Sequence, residues 1–186
     1  MVLELYFEKP LDILFQNLLE ELGLPSKALF FPSPSDRGLG IFVPTSYCPL
    51  RCRILCGEVH DENAAALAGV AGHAGLFGSG ESLLLFLKAL NHSILGAKLI
   101  ETNGLYLSDQ GDPLMGWRQG SHRHGRGFAQ GFGMGHLGFT GTAFFIDHLT
   151  GRYVICLTNR VISGREAPWM SDFRFGLFSA LEGFFV

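Results

Sequence analysis

The chain is poor in charge. Only 17% of its 186 residues are Asp, Glu, Lys or Arg, below the usual quarter, and the net charge of −3 includes no basic block. A nucleic-acid footprint needs clustered Lys and Arg to neutralise phosphates, so that partner class is excluded. Lysine is scarce, with only Lys9, Lys27, Lys88 and Lys98. No apolar run, Leu83 to Leu87 being typical, approaches the roughly 20 residues of a membrane-spanning helix. No transmembrane segment is therefore expected. The start of the chain carries Glu4 and Glu8 ahead of its first basic residue, Lys9. That is the wrong polarity for a signal peptide, and the compartment stays open. No repeat or low-complexity tract is present.

Cysteine is also sparse. Cys48, Cys52 and Cys56 are spaced C-x3-C-x3-C, with Cys156 far away. This spacing matches neither a zinc ribbon nor the common iron–sulfur runs. Even offsets on an extended segment would put the first three on one face. Buried free thiols are the favoured expectation over a disulfide or a metal site. No metal and no cofactor are expected.

What the chain does have is grease and glycine. It is 47% hydrophobic with 17 Phe and 25 Gly, and its mean hydropathy is +0.25. Leu11, Leu14, Phe15, Leu18, Leu19 and Leu22 fall on one helical stripe, which predicts a largely buried helix over 10–22. Pro10 suits its start, and Gly23 with Pro25 its stop. Residues 25–62 are broken by Pro32, Pro34, Pro44 and Pro49 and predict a long irregular stretch. Residues 63–77 are small and suited to close packing. Ser79 predicts the cap of a second helix over 80–91. Residues 96–128 again read as loop.

Strands are predicted near 129–138, 142–147 and 152–158. The turn His148-Leu149-Thr150-Gly151 makes the last two antiparallel neighbours. A final helix is predicted over 169–183, with Phe173, Leu177, Phe178 and Leu181 inward. Helices around a three-stranded antiparallel sheet make an α+β domain. The strand ending Gly135-His136-Leu137-Gly138-Phe139-Thr140-Gly141-Thr142 is the most informative segment. Its glycines mark where something approaches the backbone closely. His136 beside that edge suits a sheet that offers N–H groups and one basic side chain to a carbonyl substrate.

Three ordered blocks carry a family resemblance. They are Gly57-Glu58-Val59-His60-Asp61-Glu62-Asn63-Ala64, then Ala68-Gly69-Val70-Ala71-Gly72-His73-Ala74-Gly75-Leu76-Phe77, then the His136 segment. Together they resemble the serine β-lactamase-like family, the fold of penicillin-binding proteins, class C β-lactamases and related esterases. Leu157-Thr158-Asn159-Arg160 fits that fold's last strand, and the resemblance runs from about residue 9 to the C-terminus. It implies acyl-enzyme hydrolysis of an amide, ester or β-lactam in a small-molecule or peptide-like acyl substrate. It also implies three motifs: S-x-x-K, a Tyr- or Ser-based second element, and K-T-G or H-T-G on an edge strand.

The third motif stands here as His136-Leu137-Gly138. The resemblance makes His136 a catalytic-site residue and the Phe139 backbone N–H one oxyanion donor. It places Leu137, Gly138 and Thr140 along the substrate. Leu137 replaces the usual hydroxyl, the group that would meet a substrate carboxylate. The first motif is missing. Three residues before the four lysines stand Tyr6, Leu24, Leu85 and Leu95, none of them Ser. Tyr6, Tyr47, Tyr106 and Tyr153 lack the followers of the second motif. The expectation is one partial domain over 1–186, the C-terminal portion of such an enzyme, inactive in isolation. Its open sheet edge would meet a missing N-terminal half or a second copy. A non-catalytic binding or self-associating module is the alternative, and a His/Cys metal protein the weakest reading.

The remaining candidates each have a plainer reading beside the functional one. His73, in its Gly/Ala block, is a candidate substrate-lining residue, with a structural hydrogen bond as the alternative. His60 and Asp61 form a pair, or Asp61 caps the following Ala-rich segment. His122 and His124 form an H-x-H pattern on a solvated loop. Ser79 and Ser82 suit a helix start better than a nucleophile. Gly131, Gly133 and Gly135 precede a strand rather than a helix, which is wrong for a phosphate loop.

Overall fold

The structure is a computed structural model describing residues 2–105, 118–119, 133–147, 150–163 and 166–182. It is an α+β arrangement of helices and small antiparallel sheets. The chain divides into two compact units, Met1–Ala89 and Leu90–Val186. Among the described residues no helix is long and apolar enough to cross a membrane.

The first unit opens with helix α1 (Val2–Phe7) and helix α2 (Leu11–Glu21). The Leu22-Gly23-Leu24 exit is a Schellman turn. Gly23 sits at φ 70°, its N–H bonds the Glu20 carbonyl, and the Leu24 N–H reaches back to Leu19. Only glycine adopts that backbone at little cost, so the helix stops where the sequence predicts. The stripe is less covered than expected. Leu19 is fully buried, whereas Leu11, Leu14, Phe15, Leu18 and Leu22 remain half-buried.

Strand β1 (Leu29–Phe30) pairs antiparallel with β4 (Phe77–Gly78), and β2 (Tyr47–Cys48) with β3 (Arg53–Ile54). Between them lies helix α3 (Glu62–Ala66), and helix α4 (Gly80–Asn91) follows. Ser79 caps α4 through the Ser82 N–H at 3.0 Å, as its sequence position predicts. Phenylalanine ties the proline-broken segments together. Phe15 meets Phe31 and Phe86, and Phe42 meets Phe30 and Phe77, at centroid distances of 5.5–6.2 Å. The Phe15–Phe31 and Phe42–Phe77 pairs stand edge to face, a geometry favourable beyond buried area, and the other two pairs are tilted.

The second unit carries helix α5 (Ile94–Leu105), where a loop was expected. Its apolar and polar residues are spread around the whole circumference, so no stripe betrays it. The sheet has four strands rather than three. They are β5 (Arg118–Gln119), β6 (Gly133–Leu137), β7 (Ala143–Asp147) and β8 (Arg152–Cys156), antiparallel in that order. The β7–β8 pairing, Ala143 opposite Cys156 through Asp147 opposite Arg152, bears out the expected hairpin. Strand β8 ends at Cys156, so Leu157 to Asn159 lie beyond the strand and Arg160 begins a 3-10 turn.

Helix α6 (Trp169–Glu182) covers one face of this sheet. Phe178 packs with Ala143, Phe145 and Val154, flanked by Leu137, Cys156 and Leu181. The Phe145 and Phe178 rings stand edge to face at 5.2 Å. Phe173, expected inward, is 42% exposed, while Met170 and Arg174 are buried. The buried positions 170, 174 and 178 follow the helical i, i+4 spacing, and Phe173 falls outside it.

Candidate functional site

The β6–β7 connection is the most heavily tied turn described. The Gly138 N–H donates to the Thr142 carbonyl at 2.7 Å, and the Gly141 N–H to the Gly138 carbonyl at 3.1 Å. Every carbonyl from 138 to 142 is engaged. Arg160 answers two of them, through Nε to Phe139 and through its backbone N–H to Thr140 at 2.8 Å. Thr158 Oγ1 donates to Gly141 at 2.6 Å. Arg174 Nη2 bridges Gly138 at 3.2 Å and Thr142 at 3.1 Å. The Arg160 guanidinium also lies over the Phe139 ring, 4.4 Å from its centroid, a cation–π contact.

The glycines here admit the chain itself. A Cβ on Gly135 would stand 2.0 Å from the Phe144 carbonyl, and one on Gly138 2.1 Å from Thr142 Oγ1. Gly141, at φ 117°, has Thr158 Oγ1 and the Arg160 nitrogen within 2.8 Å of the same position. The close approach read from the sequence is real, and the turn's own neighbours make it.

His136 is exposed on β6 opposite Phe144. The described pairing with β5 reaches only Gly135 and Met134. Alternation along the strand puts His136 on the face away from Leu137, which packs with the α6 core. Phe139 N–H shares a trans peptide unit with the Gly138 carbonyl. That carbonyl faces Arg174, so the N–H points the other way. The His136 side chain therefore lies on the face of the sheet away from α6, and the Phe139 N–H points away from the Gly141 and Arg174 donors that the Gly138 carbonyl accepts from. Thr140 is half-buried in the turn.

His73 lies in the first unit. Its Nε2 donates to Asp61 Oδ1 at 3.1 Å. Asp61 also caps α3 through the Ala64 N–H at 2.8 Å. These bonds, the Ala64 cap first, hold the Asp61 carboxyl below the usual aspartate range. Asp61 is thus both the cap and the partner of a histidine, but that histidine is His73. His60 is buried and hydrogen-bonds Ser46 Oγ through Nε2 at 2.9 Å, fastening the loop before β2 to the segment before α3.

The four cysteines are free, but only Cys48 is buried; Cys52 is exposed, and Cys56 and Cys156 are half-buried. The segment from 48 to 56 is a hairpin, with Cys52 at φ 51°, so the even-offset rule for an extended chain does not apply. Arg51 Nε donates to Cys48 Sγ at 3.3 Å. That bond holds the thiol below its ordinary range, against the opposing effect of burial. Burial pushes the Cys156 thiol up. Among the described residues no group of three or more His, Cys, Asp or Glu is placed to hold a metal ion. His122, His124, Tyr106 and Gly131 lie outside the described residues.

The sequence reading missed the two arginines. Arg174, which the sequence analysis did not single out, is 8% exposed. Its fourfold spacing from Met170 and Phe178 was the available signal.

Two curated relatives resemble the chain. An N-acetylmuramyl-L-alanine amidase of Bacillus subtilis (strain 168) is 30% identical over 141 residues, covering 64% of this chain and 31% of the relative. A putative D-alanyl-D-alanine carboxypeptidase of Salmonella enteritidis PT4 (strain P125109) is 27% identical over 126 residues, covering 60% of this chain and 28% of the relative. The chain thus spans under a third of the length of either. No family model and no solved structure matches it. What the chain is similar to is a pair of proteins named as an amidase and a putative carboxypeptidase, both hydrolases by name.

Proposed function

We propose that this chain is the C-terminal portion, one partial domain, of a serine hydrolase of the β-lactamase and penicillin-binding protein type. It acts on an amide or ester bond of a peptide-like, cell-wall-derived acyl substrate. The nucleophilic serine and its lysine come from outside these 186 residues. The single observation that carries the reading is the exposed His136 on β6 beside a turn whose carbonyls are all tied down. The names of the two relatives support the substrate class.

In this reading the serine oxygen adds to the substrate carbonyl, and its proton passes to the departing amine or alcohol. The Phe139 N–H donates to the oxyanion, and the His136 imidazole donates beside it. Gly138 and Thr140 line the acyl group through the turn backbone, and Leu137 contributes its backbone while its side chain packs inward. Water then releases the acid and restores the serine. A fixed donor of this kind contributes about 10²–10³ in rate.

The test is labelling with a fluorescent fluorophosphonate or penicillin in cells that make the tagged chain. Label on a longer or co-purifying polypeptide is expected, slowed about a hundredfold by His136→Ala. An intact native mass equal to this chain with no co-purifying partner would overturn the proposal, as would label on the isolated chain. An unchanged labelling rate in His136→Ala removes His136 from the site.

A further inference from the structure

Helix α1 has no buried residue. Val2, Leu5 and Tyr6 are about four-fifths exposed, and Leu3 and Phe7 about half. At about 100° per residue these five side chains occupy one arc of about 200°. Glu4 is the one charged residue of the helix and falls opposite that arc. Its carboxylate accepts the Leu11 N–H at 3.1 Å, one of the donors that the start of α2 leaves without a helical partner. The polar side of α1 is thus turned to its own chain and the apolar side to solvent. This reverses the ordinary amphipathic arrangement.

Such a face needs a cover. The arc presents on the order of 600 Å² of accessible surface. That stands at the top of the range for the largest apolar patch of a monomer, about 300–600 Å². A helix of 6 residues is also too short to hold itself, because isolated helices under about 12 residues are marginal in water. The surroundings narrow the occupant. The arc carries no charge that would select an ion or a nucleic acid. Glu8 and Asp12 follow it with one lysine, Lys9, a balance that suits no anionic lipid surface. Tyr6 and Phe7, with rings edge to face at 4.9 Å, are residue types enriched at protein–protein contacts.

We propose that α1 is the contact of a weak symmetric dimer of this chain, with Tyr6 and Val2 on the midline of the contact. Every second copy brings an apolar helix of matching length. An antiparallel pair about a two-fold axis covers both arcs at once and leaves both Glu4 carboxylates outside the contact. Two such arcs remove up to about 1,200 Å² in total, the lower bound of specific interfaces, so the dissociation constant falls in the micromolar range. The dimer does not rest on the hydrolase reading, in which a serine-bearing polypeptide is the competing cover.

The experiment is sedimentation equilibrium of the full 186-residue chain from about 1 to about 200 μM. The weight-average mass is expected to rise from 20.4 kDa toward twice that value. Tyr6→Lys weakens the association at least about tenfold. Leu5→Lys, a second variant on the same face, does the same, and neither removes a buried side chain. Tyr47→Lys, at an exposed position on β2, leaves the mass curve unchanged. A monomer at every concentration would overturn the dimer and leave α1 to another cover, a phosphatidylcholine vesicle if the monomer floats with one. Undiminished association in both α1 variants, or an equal loss in Tyr47→Lys, would overturn it as well.

Discussion

Each unit of this protein holds a cluster of arginines, and the two are answered in opposite ways. In the first, Glu58 is the common partner. Arg53 grips it with Nε at 2.9 Å and Nη2 at 3.0 Å, and Arg51 and Arg37 stand at 3.7 and 3.8 Å. Arg51 also donates to the Val59 and His60 carbonyls at 2.7 and 2.9 Å. The Arg53 bonds, followed by the charges around it, hold the Glu58 carboxyl below the usual glutamate range. In the second unit, Arg160 and Arg174 spend their donors on turn carbonyls. A cluster organised on a carboxylate depends on pH and on one residue. A cluster organised on backbone carbonyls is distributed, and several contacts must fail before the turn moves. The first arrangement is organised on an anion; in the second, no carboxylate among the described residues pairs with Arg174.

The largest effect expected is at Gly141. A methyl group there would meet Thr158 and Arg160 within 2.9 Å at a φ of 117°. Gly141→Ala should cost more than about 3 kcal/mol in urea unfolding, from strain and a backbone clash together. Both tryptophans, Trp117 and Trp169, fall within the second unit, so fluorescence reads that unit. A loss under about 1 kcal/mol would show that the turn relaxes easily, ending the claim that it is rigid.

Next comes Glu58→Gln, expected to cost about 1 kcal/mol, since its closest partner Arg53 is solvent-exposed and screening weakens the pair. Because the folded-state carboxyl is held below its unfolded value, this contribution is present at neutral pH. It is lost as pH falls from about 4.3 through the lowered folded value. The variant should therefore lose the corresponding step in an acid titration of stability. An unchanged acid limb would mean that Glu58 is not what organises the cluster.

Asp61→Ala should cost about 1 kcal/mol by removing the cap of α3. Asp61→Asn, which keeps a capping oxygen, should cost less. Equal losses would shift the weight from the cap to His73.

The smallest effect sharpens the comparison most. Arg174→Met should change stability by less than about 1 kcal/mol, because both carbonyls keep their other donors and an apolar side chain fits the buried position. A loss of several kcal/mol would make Arg174 a structural residue like Arg51 and remove the asymmetry between the two clusters.

What could be read in advance follows from how local each signal was. Helix α2 declared itself by its leucine spacing and its Gly23 exit, α4 by its Ser79 cap, and the β7–β8 hairpin by alternation around a turn. Helix α5 did not, because its apolar residues circle the axis. Strand β5 is two residues long, too short for any alternation. Cys48, Cys52 and Cys56 misled because a face rule for extended chain was applied across a hairpin. Phe173 was placed on the inward stripe with Leu177, Phe178 and Leu181, but the buried stripe runs through Met170, Arg174 and Phe178, so the ring faces out and a cation faces in.

By itself the sequence determined the order of elements, the caps and turn breakers, and the stretch from His136 to Gly141 as the place to look. These rest on interactions within a few residues, which spacing encodes. Only the tertiary structure decided that the glycines admit the turn's own neighbours, that Thr158, Arg160 and Arg174 pin carbonyls up to 36 residues away, and that α6 buries a guanidinium. Such contacts depend on how separate elements pack, and the same spacing along a chain is compatible with many packings.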